Sequence, residues 1–242
     1  MKVLQGVGKF EIFTPVEVLQ GYVLMIEKAG RTCYKSETGP ITTETASKFI
    51  GMLIQRGHFS VLEHTYLTVK FMNVSRGLTH ELVRHRLMAI SQESTRYVDY
   101  VRGDDNPNLE RFQCHFVLPP HRDLNQKVLV SEGELMSANE MLLKIESYYR
   151  ALRKAGWIPE DARQLLPNAL TSEIVVSANF REWRHIFYMR TAKAAHWEIR
   201  AVMIPLLDKL QSLIPIIFDD FKKAGEDVNG LPFYTCTNKD DK

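Results

Sequence analysis

The densest run of chemistry-bearing residues is Ser75-Arg76-Gly77-Leu78-Thr79-His80-Glu81-Leu82-Val83-Arg84-His85-Arg86, followed closely by Gln92-Glu93-Ser94-Thr95-Arg96. At helical spacing Leu78 and Leu82 face a core. His80 and Arg84 share another face, with Glu81 three residues before Arg84. Arg84, His85 and Arg86 are consecutive and point in different directions around the predicted helix end. That suits a group with several anionic or polar edges. The second run offers an amide, a carboxylate, hydroxyls and a guanidinium, so Ser94 and Arg96 can cradle a phosphate while their neighbours pair the edge of a base. A solvated helix end followed by a polar loop fits the same residues equally well, because charge runs usually lie on the surface.

The elements that must position these residues are read from period and punctuation. Residues 7–13 look like a strand and 16–28 have helical spacing. Thr42 or Thr43 caps a helix running to Arg56, where Gly57 stops it. Ser60-Val61-Leu62-Glu63 has capping-box spacing for a short helix start. The stretch 65–72 alternates as a strand. Ser75 caps a helix over 76–86, and 113–118 is a short strand bounded by Pro119-Pro120. Helical patterns dominate from Leu124 to Ala155, closed by Gly156. A short helix follows Pro159, 174–177 is strand, and helices cover 180–189 and 196–213, the last kinked at Pro205. Residues 99–109, rich in Asp and Asn, read as a mobile loop with no assigned role. The sum is α+β, helices packed with a small, mostly antiparallel sheet. Residues 1–235 are expected to form a single domain, with 236–242 a frayed tail. No GxGxxG loop is present, so no Rossmann unit is expected.

Composition narrows the classes. Of 242 residues, 45% are hydrophobic and 25% charged, a globular balance that argues against long disorder. With 31 basic and 29 acidic residues the net charge is only +2, which does not suggest a nucleic-acid coat. There is no signal-peptide core and no uncharged apolar run long enough to span a membrane, so a cytoplasmic protein without a membrane partner is expected. Cys33, Cys114 and Cys236 lie far apart and read as free thiols in a reducing compartment, and none carries a nucleophile motif. Eight histidines are present, but no HExxH or comparable ligand set, so no metal is expected.

Arg84-His85-Arg86, seven intervening residues, then Ser94 resembles the signature of the flavin-dependent thymidylate synthases. Three further blocks resemble that family in the same order. They are Gly57-His58-Phe59-Ser60-Val61-Leu62-Glu63-His64, then Ala162-Arg163-Gln164-Leu165-Leu166-Pro167, then Asn179 through Arg190 with His196-Trp197-Glu198-Ile199. The resemblance implies that Arg84, His85 and Arg86 bind FAD, with His58 and Ser60 in the same cavity and Asn179, His185 and Gln92 also on the cofactor. It implies that Glu81, Arg84 and the loop Gln92, Glu93, Ser94, Thr95 and Arg96 surround deoxyuridine monophosphate (dUMP), with Ser94 and Arg96 on its phosphate. Arg163 also reaches the nucleotide. Arg190 sits at the pyrimidine and polarises its ring at N3, as the catalytic residue. Glu81 stands where some relatives have Gln, and His185 where some have Asn; either can still hydrogen-bond. The family further implies methylenetetrahydrofolate as carbon donor, NADPH as reductant and a homotetramer with sites where subunits meet.

Methylating uracil at C5 needs an electron-rich C5, a one-carbon electrophile and a hydride. Without a cysteine motif to attack C6, a reduced flavin can supply the hydride. A guanidinium near N3 can then stabilise the charge developing on the ring. Ser94 is better explained as a phosphate donor than as a nucleophile. Simpler roles stay open for several residues. His58 and His64 could bond backbone, Arg163 could pair with Asp161 or Glu160, and Arg190 could complement a helix dipole. Trp183 and Trp197 read as core. A nucleotide-binding regulator without turnover and a nucleic-acid-binding module are the rival classes. Intact Ser94-Thr95-Arg96 and Arg190 oppose the first. The near-neutral charge and the interrupting Glu81 and Glu93 oppose the second.

Overall fold

Strands β1 (Lys2–Gln5) and β2 (Lys9–Ile12) precede two helices, α1 (Val16–Tyr34) and α2 (Thr43–Gln55), in this computed structural model. A 3-10 segment (Phe59–His64) leads to β3 (Leu67–Ser75), α3 (Arg76–Leu82), β4 (Met88–Gln92) and β5 (His115–Leu118). Then come β6 (Val128–Ser131), β7 (Glu134–Met136), α4 (Ala138–Lys154), α5 (Pro159–Ala162) and a 3-10 turn (Arg163–Leu165). The chain closes with β8 (Thr171–Ala178), α6 (Phe180–Arg190), α7 (Trp197–Leu213), α8 (Pro215–Phe218), β9 (Phe221–Glu226) and β10 (Pro232–Cys236). The structure describes residues 2–6, 8–36, 39–102, 112–131 and 133–238. Residues 103–109 of the Asp- and Asn-rich stretch and 239–242 of the expected tail therefore lie outside the described residues.

The class is α+β, with small sheets and no Rossmann unit among the described residues. A four-stranded sheet has the order β2-β3-β8-β4, and β9 pairs with β10, as β6 does with β7, antiparallel. β1 pairs with β5 in parallel, in the register Lys2 with His115. No helix among the described residues is long and apolar enough to cross a membrane.

The chain divides into two compact units. The smaller comprises 1–7, 72–81 and 92–174; the larger comprises 8–71, 82–91 and 175–242. The smaller unit is built around Tyr100, Cys114, Phe116, Leu142, Tyr149, Ala162 and Leu170. Its long helix α4 starts with a full capping box. Ser137 Oγ accepts from the Glu140 N–H at 3.3 Å, and the Glu140 carboxylate accepts from the Ser137 N–H at 2.7 Å.

The larger unit has an aromatic core in which Phe187 packs edge-on against Phe218 and Phe221, with Trp183 tilted beside it. Within this apolar layer Arg184 is fully buried. Its guanidinium forms a bidentate pair with Asp220 at 2.6 and 2.7 Å, and the rings of Phe59 and Phe221 lie 5.2 Å away. Such a pair is costly to break, about 3–5 kcal/mol, because one partner would remain buried and uncompensated. Trp183 is likewise core, donating its indole N–H to the Leu67 carbonyl at 3.0 Å.

Several local expectations are corrected. The helix over 76–86 stops at Leu82, and Arg84 is in the turn beyond it, so His80 and Arg84 do not share a helical face. The chain must turn there because β4, a strand with no counterpart in the local patterns, begins at Met88 and joins the sheet. Leu78 and Leu82 are buried as expected, and Ser75 Oγ accepts from the Leu78 N–H at 3.0 Å. Between Leu124 and Ala155 only α4 is helical; the segment before it forms the β6–β7 hairpin around Gly133 at φ +76. Ser60 starts no helix, since it sits inside the 3-10 segment whose cap is His58. Strands β1, β9 and β10 have no counterpart in the local patterns.

Candidate functional site

In the smaller unit, β4 ends at Gln92, and the polar run that follows is already cross-linked. Gln92 Nε2 donates to Thr79 Oγ1 at 2.8 Å and to Ser172 Oγ at 3.3 Å. The Glu93 carboxylate accepts from the Tyr100 hydroxyl at 2.6 Å, and burial raises its pKa. Burial and the facing Glu93 charge raise the Tyr100 phenol in turn, so it stays protonated as the donor. Thr95 is buried and its hydroxyl accepts from Arg163 Nη1 at 2.9 Å.

Arg163 also donates from Nε to the backbone carbonyl of Glu160 at 3.1 Å. The Glu160 carboxylate pairs with Arg96 Nε at 2.8 Å instead. Ser94 holds a turn, its carbonyl accepting from the N–H groups of Tyr97 and Val98 and its hydroxyl from the Arg96 N–H at 3.3 Å. Asp99 anchors the following segment on Arg153 at 2.7 Å, a bond that holds its carboxyl below the usual carboxylate range. Glu81 lies half-buried in the last turn of α3.

In the larger unit, Arg84, His85 and Arg86 divide by side. Arg84 and Arg86 are exposed, and His85 is buried. Arg190, the last residue of α6, donates from Nε to His85 Nε2 at 2.9 Å. On the opposite ring nitrogen, His85 Nδ1 faces the buried carboxylate of Glu182 at 3.6 Å. His185 lies edge-on to His85, ring centroids 5.4 Å apart. Burial first, then the charges of Arg190 and His185, push the His85 pKa down to about 4, so the ring is neutral near pH 7. Burial raises Glu182, opposed by His185. Asn179 caps α6, its side chain accepting from the Glu182 N–H at 2.8 Å.

A separate cavity of about 330 Å³ in this unit is lined by Cys33, Tyr34, His58, Ser60 and Arg181 among others. Tyr34 Oη and His58 Nδ1 are 3.0 Å apart, and Arg181 forms an ion pair with Glu63. Gly57 shapes the rim at φ +69, a conformation that favours glycine.

The structure thus sorts the expected residues by unit. Glu81, Gln92, Glu93, Ser94, Thr95, Arg96 and Arg163 fall in the smaller, and His58, Ser60, Arg84, His85, Arg86, Asn179, His185 and Arg190 in the larger. Within the larger it brings His85, His185 and Arg190 together, while His58 and Ser60 line their own cavity. The sequence reading missed Glu182, Arg181, Tyr34 and Tyr100. Only Glu182 carried a signal, three residues after the cap Asn179, and that spacing points to capping rather than to a histidine. Arg163 pairs with neither acidic side chain proposed for it. No group of three or more metal-ligating side chains occurs among the described residues.

The sequence model of the thymidylate synthase complementing protein family matches residues 16–216. A flavin-dependent thymidylate synthase of Mycobacterium marinum is 34% identical over 251 aligned positions, covering 96% of each chain. The chain belongs to the flavin-dependent thymidylate synthase family. A second member of that family, from Mycobacterium tuberculosis, is 33% identical over 90% of this chain and 89% of its own. Solved structures share the fold. The UMP/dUMP methylase PolB of Streptomyces cacaoi, bound with 5-Br dUMP, superimposes with a TM-score of 0.67 at 20% identity, covering 90% of this chain and 96% of its own. Thymidylate synthase X of Helicobacter pylori, solved with FAD and dUMP, gives 0.61 at 23% identity, with coverages of 88% and 98%.

Proposed function

We propose that this chain is an enzyme that methylates dUMP to thymidine monophosphate, with FAD as cofactor, methylenetetrahydrofolate as carbon donor and NADPH as reductant. The observation that carries the reading is the near full-length match to flavin-dependent thymidylate synthases. Arg84-His85-Arg86 and Ser94 stand at the spacing of the family signature. The span 1–235 is the flavin-dependent thymidylate synthase domain on this reading, in keeping with the family match over 16–216.

The residues suit a flavin dinucleotide. Exposed Arg84 and Arg86 offer guanidinium donors to a diphosphate, and His58 and Ser60 line a cavity with room for part of the cofactor. FAD, once reduced, supplies the hydride that the new methyl group needs. Protein side chains do the rest. Ser94 and Arg96 hold the phosphate, Gln92 and Thr95 fix the loop, and Arg190 lends positive charge at N3 of the pyrimidine. Cys114 is fully buried and Cys236 donates to Asp220 at 3.4 Å, which disfavours a cysteine nucleophile at either position. The family resemblance extends the proposal to a cytoplasmic homotetramer.

The test is direct. Purified protein saturated with FAD should be yellow, bleach with NADPH and release label from [5-³H]dUMP when methylenetetrahydrofolate is added. Protein that stays colourless, with no heat of FAD binding, overturns the proposal. Light scattering that reports a monomer overturns the tetramer alone.

A further inference from the structure

We propose that Glu182 is a positioning residue for Arg190, acting through the imidazole of His85. The proposal rests on the reading of Arg190 as the group at the pyrimidine, and it assigns a role to Glu182, whose carboxylate faces His85.

The direction of one hydrogen bond fixes the protonation of the ring. Arginine has donors only, so the 2.9 Å bond from Arg190 Nε requires a lone pair on His85 Nε2. A neutral imidazole must then carry its single proton on Nδ1. That nitrogen is the one facing Glu182 Oε1 at 3.6 Å. The distance exceeds a hydrogen bond, yet the carboxylate still favours the Nδ1–H tautomer electrostatically in a buried setting. The groups that face His85 are Arg190, His185 and Glu182, all from α6, while its chain neighbours Arg84 and Arg86 are exposed.

The position of Glu182 is otherwise hard to account for. An acidic residue in the first turn of a helix ordinarily stays in water or turns back to the cap N–H. Here Asn179 takes the Glu182 N–H, while the Glu182 side chain is buried and its ion-pair-range contact among the described residues is His85. Burying a carboxylate is costly. What it sets is an outer-shell contact: a ring held in one tautomer, with its acceptor lone pair aimed at Nε of the working guanidinium. Without Glu182 the carboxylate that faces Nδ1–H is gone, and the ring becomes a weaker acceptor for the Arg190 Nε–H at the moment charge develops on the substrate.

The experiment compares Glu182→Met, which fills the space without an acceptor, with Glu182→Gln, which keeps an uncharged acceptor near Nδ1. Turnover and KM for dUMP are measured on FAD-loaded protein, with the visible flavin spectrum and melting temperature recorded for each variant. The expected result is a roughly tenfold fall in kcat for Glu182→Met, with KM, flavin content and melting temperature near wild type, and recovery of at least half of kcat in Glu182→Gln. Wild-type kcat in the Met variant overturns the role. So does an equal fall in both variants, or a loss of activity that tracks loss of flavin or of folded protein. Wild-type protein that makes no thymidine monophosphate overturns the functional reading instead, so the two failures are distinguishable.

Discussion

The two sets of candidate residues are built on different physical plans. In the smaller unit the polar side chains satisfy one another through side-chain hydrogen bonds and a partly exposed ion pair: Gln92 on Thr79 and Ser172, the charged Arg163 on Thr95, Arg96 on Glu160. In the larger unit a buried His85, held neutral, lies between the buried carboxylate of Glu182 and the half-buried guanidinium of Arg190. The first arrangement holds a loop in shape and loses little when one member goes. The second depends on a single proton location, so one change alters the charge balance of the whole cluster. A preorganised phosphate cradle needs the former, and a group that must respond to charge developing on a ring needs the latter.

The sharpest way to break this contrast is Arg190→Ala. It should lower kcat by roughly 10³-fold, about 4 kcal/mol, while the visible flavin absorbance is retained. A variant that keeps turnover but loses flavin would move Arg190 from the pyrimidine to the cofactor. The matching change in the smaller unit, Arg96→Ala, should raise KM for dUMP by about 10- to 30-fold and leave kcat within about threefold, because a phosphate contact acts on ground and transition states alike. If steady-state kinetics instead show kcat falling as far as in Arg190→Ala, the two units do not divide the work as described.

Acid sharpens the comparison further. The folded His85 pKa is about 4, below the ordinary value of about 6.5, so the unfolded chain binds the proton more readily. The stability tied to a neutral His85 is therefore complete above about pH 6.5 and is lost as pH falls toward 4. Chemical denaturation from pH 7 to 4 should show a loss of about 3 kcal/mol from this group, absent in His85→Asn. Equal pH curves for the two proteins would remove His85 as the acid-sensitive group. The smallest effect belongs to Ser94→Ala, about fivefold in KM for dUMP with kcat preserved, since neighbouring donors remain. A Ser94→Ala protein that binds dUMP normally but does not turn over would reinstate the serine as a nucleophile.

Much of this was legible in the sequence because it is local. Thr42 and its capping box with Thr45, Ser75 ahead of α3, and Asn179 ahead of α6 all use bonds spanning three residues. The spacing from Arg84 to Ser94 was likewise visible. What was not legible depends on distant partners. β1 exists because it pairs with residues more than a hundred positions away, and α3 ends at Leu82 because the chain beyond it joins a sheet. The hairpin at 128–136 was hidden within an apolar pattern that also fits a helix, although Gly133 marked its turn. Glu182 shows the same limit at the site. Its spacing from Asn179 announces a cap, and only the fold brings His85 to it.

The C-terminal strand carries one more consequence. Thr191, the residue after Arg190, accepts a backbone bond from the Tyr234 N–H at 2.9 Å, and Asp220 grips the buried Arg184 about two turns earlier in α6. The helix bearing Arg190 is thus fastened at two points by residues that follow it in the chain. During synthesis α6 is made before its fasteners, and the larger unit stays short of its final form until Asp220 and Tyr234 have followed. A chain truncated just before Asp220 should accordingly be cut by a protease within α6, whereas the full chain resists cleavage there.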